Sequence, residues 1–288
     1  MGLDMLDELV AQRDREVLRQ AQDRVATLEE IEQRGQERLG NCMDALGKMR
    51  ETFDRVQEQS RDNAEKAGQD LAVTRSRLLK APEVDARFQI EGRPAAIAAA
   101  GLTAVLQPYY VRIYNSDGTV YYSNYTIGNV DVWDEARGSG SGLFGTGAAS
   151  IDVKVDWWFH FVAPQNRNYS YYAVSPMHGF YQDYADDGFW DSKEAHIRLD
   201  ISVTGYQYNW KPGVNNNVFD YDSQNINLND RFDNAPVVYY SDLLGADGAY
   251  LLETQSLYAY ARGGGSHAEL NFSDGDANYI APPTVYVY

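Results

Sequence analysis

Every one of the 22 tyrosines and five tryptophans lies at or after Tyr109, whereas residues 1–80 are built mainly from Glu, Gln, Arg, Asp, Ala and Leu. Residues of the second kind sustain long helices, and aromatic residues favour pleated sheet. Two physically different segments are therefore joined in one chain. The expected fold class is α+β in two segments, an N-terminal long-helix coiled coil followed by an antiparallel all-β sandwich or jelly roll. The expected boundaries are a helical stalk over 1–80, a linker with a short Ala-rich helix over 81–108, and an acidic, Tyr-rich β domain over 109–288.

In the helical segment the apolar spacing alternates three and four through Leu39, Cys42, Leu46, Met49, Phe53 and Val56. That is a heptad seam with a positions at 39, 46 and 53 and d positions at 42, 49 and 56, and it predicts a homo-oligomer joined through residues 1–80. Upstream, Leu3, Leu6, Val10 and Val17 keep a similar stripe before the register drifts. Two geometries compete: one continuous rod, or an antiparallel hairpin turning at Gly40-Asn41. The unbroken heptad phase across Leu39, Cys42 and Leu46 favours the rod.

Residues 1–80 carry 17 acidic against 14 basic side chains, so most of the net charge of −17 resides in the β part. Such a surface repels phosphate backbones, and no nucleic-acid partner is expected. The acidic start Met-Gly-Leu-Asp-Met-Leu-Asp-Glu lacks the pattern of a signal peptide. Cytoplasmic synthesis is expected, followed by particle association or release by a non-Sec route. Ala95 to Leu106 is too short to span a bilayer as a helix; it is read as buried core, with membrane insertion as the sharper alternative and membrane contact left open. Cys42 is the single cysteine, so an intramolecular disulfide is excluded.

Strands are predicted at Tyr109–Tyr114, Val120–Tyr125, Ile151–Trp157, Ala195–Val203, Gly205–Trp210, Val237–Tyr240, Leu251–Tyr260, Ala268–Phe272 and Thr284–Tyr288. Clean period-two alternation in Ala195–Val203 marks one face for a core and one for water. Gly140-Ser-Gly142-Leu-Phe-Gly145 has dinucleotide-binding spacing, but a strand follows where that motif needs a helix N-terminus. It is read as a hairpin loop.

Asp183, Asp187, Asp191 and Glu194 fall at positions one, five, nine and twelve of a calcium-loop rhythm, with Ala185 in place of the ligand at position three. No cofactor is expected otherwise, and calcium is the one candidate. The four histidines, His160, His178, His196 and His267, lack metal-ligand spacing, and Ser266-His267 has no acid partner recognisable in sequence. No catalytic constellation emerges, so the chain is expected not to be an enzyme. Tyr171, Tyr172, Tyr181, Tyr184 and Trp190 are read as sitting in a polar loop region between two alternating strands and form the candidate ligand-binding set, because Tyr and Trp give rigid amphipathic contact area. The sequence thus points to a non-enzymatic oligomeric stalk-and-head protein, fibre-, spike- or adhesin-like, whose β domain binds a glycan or protein surface. The rivals are a membrane-active, toxin-like assembly and a carbohydrate-active β-sandwich enzyme.

Overall fold

A computed structural model describes residues 3–47, 101–139, 147–186, 193–273 and 277–288, with helix side chains described over 5–34 and at 37. By contacts the chain divides into one unit of Met1–Glu32 with Ile97–Tyr288 and a second of Gln33–Ala96. The single described helix, α1 (Leu3–Gly47), runs through Gly40-Asn41 without a turn, so the hairpin at that point does not form.

Among the described residues sixteen strands, numbered in chain order, form three antiparallel sheets. The largest has seven strands. Its path is β10 (Val214–Ser223), β8 (Glu194–Gln207), β13 (Gly248–Arg262), β5 (Ala148–Val162), β2 (Tyr110–Tyr114) and β3 (Val120–Asn124), with β9 (Asn209–Trp210) pairing β8. A four-stranded sheet runs β1 (Ala104–Leu106), β16 (Thr284–Val287), β6 (Arg167–Val174) and β12 (Val237–Leu244). A five-stranded sheet runs β11 (Ile226–Asn234), β7 (Met177–Ala185), β14 (His267–Phe272) and β4 (Val132–Arg137), with β15 (Tyr279–Ile280) on β7. The two smaller sheets together cover one face of the large one, and the main core lies between them. Val155, Trp157, Phe159, Ile197, Leu199 and Ile201 meet Tyr171, Tyr240, Leu270 and Phe272 there. This is the expected β-sandwich, with its second layer divided in two.

The opposite face of the seven-stranded sheet is covered by the start of α1. Leu6, Leu9 and Val10 bury Tyr110, Trp158, Tyr250 and Leu252 in a second apolar cluster. Trp157 and Trp158 are thus both fully buried, on opposite faces of β5, because that strand is covered from both sides. Farther along the helix the contact turns polar. Arg13 Nε donates to Asp156 Oδ2 at 2.9 Å, Arg112 Nη2 and the Tyr114 hydroxyl donate to Asp14, and Arg24 Nη1 donates to Asp152 Oδ2 at 2.7 Å. Each ionic contact lies at helical spacing from the buried Val17 and Ala21, so the same face carries both kinds of contact. Gly118, at φ +79°, lets the Asn115–Thr119 turn come so close that an added Cβ would sit 2.6 Å from Leu18 Cα.

These contacts correct the reading of the upstream stripe. Leu6, Val10 and Val17 have an intrachain partner and are not free for an oligomer seam. Leu39, Cys42 and Leu46 lie on α1 beyond the described side chains, and Met49, Phe53 and Val56 lie outside the described residues. Within the stretch read as a short Ala-rich helix, Ala104–Leu106 is instead strand β1, paired to β16. No described helix is long and apolar enough to cross a membrane.

Candidate functional site

The outer face of the five-stranded sheet gathers the polar chemistry of the domain. Antiparallel pairing aligns Arg137, His267, Tyr184 and Asn227 in one cross-strand row, and Glu135, Glu269, Gln182 and Asn229 in the next. Successive residues of a strand point to opposite faces, so these side chains face outward while Asp134, Ala268 and Asp183 face the core. The first row and the amides of the second line a shallow groove of about 540 Å³, together with Gly138, Leu228, Gly265 and Ser266. Tyr184 is 38% exposed at this surface, and Trp133, one row farther along β4, is 55% exposed.

His267 Nε2 lies 2.9 Å from Glu135 Oε1 and 3.6 Å from Glu269 Oε2. Acid partners for this histidine therefore exist, but they come from across the sheet. Ser266 does not complete a triad, because its hydroxyl donates to the carbonyls of Arg262 and Gly263, at 2.7 Å each.

Three buried carboxyl groups lie in the sandwich interior. Asp134 and Asp183 are 1% and 0% exposed, and among the described residues neither oxygen of either side chain has a hydrogen-bond partner. Burial pushes Asp183 up to about 8, with a further push from Asp222, and raises Asp134 well above the ordinary carboxylate range. Glu253, at 1% exposure, is pushed by burial up to about 7, although hydrogen bonds from Ser175 and Gln255 oppose the shift. Gln255 in turn accepts from Trp157 Nε1 at 3.2 Å. This network lies beneath Ser175, in the connection between β6 and β7 where the chain passes from the four-stranded to the five-stranded sheet.

The structure separates the four described residues of the five aromatics predicted as one ligand-binding set. The region between Tyr169 and Tyr184 is not a loop cluster but strands β6 and β7. Tyr171 points inward, is 1% exposed and stacks on Tyr240, so it is a core residue. Tyr181 packs between Phe219 and Tyr221 at the core edge. Tyr172 lies on the outer face of the four-stranded sheet, in a row with Tyr286 and Tyr239. Of the four described residues of the set Tyr184 alone lines the groove, and Trp190 lies outside the described residues.

The calcium-loop set is divided in the same way. Asp183 is interior to a strand and faces the core, and the Glu194 carboxylate is held by Arg262 Nη2 at 2.8 Å. Asp187 and Asp191 lie outside the described residues, as do 140–146 of the glycine-rich segment. The ends of that segment, Ser139 and Gly147, pair as an isolated antiparallel bridge, and β5 begins at Ala148.

No protein-family model and no curated protein matches the chain. Among solved structures, one titled "CBM4 structure and function" is similar over 52% of this chain and 86% of its own, at 8% identity and a TM-score of 0.17. An exo-beta-1,3-galactanase from Phanerochaete chrysosporium covers 60% of this chain and 31% of its own, at 11% identity and a TM-score of 0.14. Likeness at this level does not bear on ligand or chemistry.

Proposed function

We propose that the β domain binds a glycan in the groove on the outer face of its five-stranded sheet. The chain is then a non-enzymatic structural or binding protein, fibre-, spike- or adhesin-like, that self-associates through the helical segment. The observation that carries the reading is the setting of Tyr184. Its exposed ring stands beside the amides of Gln182, Asn227 and Asn229 and the guanidinium of Arg137. Primary amides both donate and accept hydrogen bonds, as sugar hydroxyls do, and an aromatic face covers the apolar side of a sugar ring. A few converging polar groups around an aromatic wall are the usual means of fixing a small ligand.

The tyrosine row of the four-stranded sheet supports this role less well. Tyr172 meets Tyr288 edge-on at 90° and Tyr239 at 56°, so these rings do not form one plane for a sugar to lie on.

A glycan array and calorimetry on the full chain test the proposal. Tyr184→Ala is expected to weaken binding by ~10-fold or more, the loss typical of an anchoring aromatic, with the melting temperature retained. Incubation with the bound glycan should release no shorter products. Self-association of the full chain, read by mass photometry, should raise apparent affinity for a glycan-coated surface by roughly 10²–10⁴-fold over a monomeric form. Unchanged glycan binding by Tyr184→Ala would move the site elsewhere, and a full chain that stays monomeric would remove the multivalent part.

A further inference from the structure

We propose that Glu135, His267 and Glu269 form a binding site for one first-row divalent cation, with zinc the best match. The three residues come from adjacent strands. Glu269 and Glu135 are direct cross-strand partners, and His267 stands two positions before Glu269 on the same face of β14. One imidazole nitrogen and one oxygen from each carboxylate all lie within 4.8 Å of one another. A tetrahedral ion with bonds of about 2.1 Å has ligand-to-ligand edges of about 3.4 Å. The observed 2.9 Å and 3.6 Å from His267 Nε2 to the two glutamates bracket that edge.

The surroundings orient one of these donors from outside the cluster. Glu269 Oε1 accepts from the Trp133 indole nitrogen at 3.0 Å and from Asn271 Nδ2 at 3.1 Å, which turns Oε2 toward His267. Such outer partners are what fix a carboxylate ligand around a metal. Arg137 binds the same Glu135 Oε1 that faces His267, so a bound cation displaces the guanidinium from that oxygen. Two glutamates directly opposite in a sheet repel each other, so a cation between them offsets an unfavourable pairing. The mixed nitrogen and oxygen donors select against magnesium and calcium, which take oxygen ligands, and in favour of borderline ions. His267 and Glu135 are partly exposed and Glu269 is nearly buried, so the open side of the cluster, toward His267 and Glu135, leaves a fourth position for water.

This inference is independent of glycan binding, although His267 also lines the groove. It is tested on the full chain freed of metal by chelator, with zinc chloride as the probe and no glycan present. Calorimetry should show one equivalent bound, lost in His267→Gln and Glu269→Gln, unchanged in His178→Gln, and weakened by ~10-fold or more in Trp133→Phe. Should a ligand variant fail to fold, histidine-selective modification of the wild-type chain decides, with zinc expected to protect His267 alone. No saturable binding, full binding by His267→Gln, or no protection of His267 would overturn the site and leave an ion-pair network. Glycan binding is measured separately in chelator, so failure of one proposal is distinguishable from failure of the other.

Discussion

The buried carboxyl of Asp183 ties the stability of the sandwich to pH in a direction opposite to that of an ordinary ion-paired aspartate. Its two oxygens have no hydrogen-bond partner among the described residues, and burial holds the group up to about 8 against an ordinary value of 3.8. The folded protein therefore keeps a proton that the unfolded chain releases above about pH 4. Stability from this group is greatest at or below the unfolded value and falls as pH rises toward 8, by about 1.4 kcal/mol per unit. Asp183→Asn removes the titration. The new amide is also unpartnered, but that cost does not change with pH, so the informative quantity is the difference between variant and wild type at two pH values. Between pH 5 and 7 the variant should gain about 3 kcal/mol relative to wild type. For a domain of this size that corresponds to a relative shift in melting temperature of about 5–10 °C. Thermal unfolding followed by circular dichroism from pH 5 to 7.5 at constant ionic strength measures it. Parallel curves for the two proteins would refute the reasoning and mean that Asp183 is charged and compensated in the fold.

Further outcomes follow from the packing. Gly118→Ala should destabilise the domain by ~2 kcal/mol or more, because the left-handed turn disfavours a Cβ and the added atom meets the backbone of α1 at Leu18; chemical denaturation reads this directly. Asp156→Ala leaves the guanidinium of Arg13, 12% exposed, without its buried partner, and should cost about 3–5 kcal/mol by the same assay. Deleting residues 1–32 uncovers Trp158, Tyr250 and Leu252, so the truncated protein should bind a hydrophobic dye and aggregate where the full chain does not. Tyr171→Ala should cost about 3–5 kcal/mol, in the range for deleting a large buried ring, while Tyr184→Ala leaves stability within about 0.5 kcal/mol.

Local pattern alone located most of the architecture. All nine segments with strand signals contain strands, because alternation in stretches such as Ala195–Val203 reflects a face that must be buried whatever its partner is. The Asn- and Asp-rich strands β10 and β11 were not legible, since those residues are depleted in strands on average. Both are sheet edges, where polar side chains discourage further pairing. The stripe Leu6, Val10 and Val17 announced a buried helix face, but periodicity does not say what buries it. Only tertiary structure set that face against Trp158 rather than against another helix. The same limit governs the sites. His267 and Glu269 share a face by spacing, yet Glu135 is 132 residues away from His267 in the chain and joins them only through the pairing of β4 with β14. Which tyrosines face the groove and which fill the core was fixed by strand register. A shift of one residue reverses every side chain, and no local composition encodes that choice.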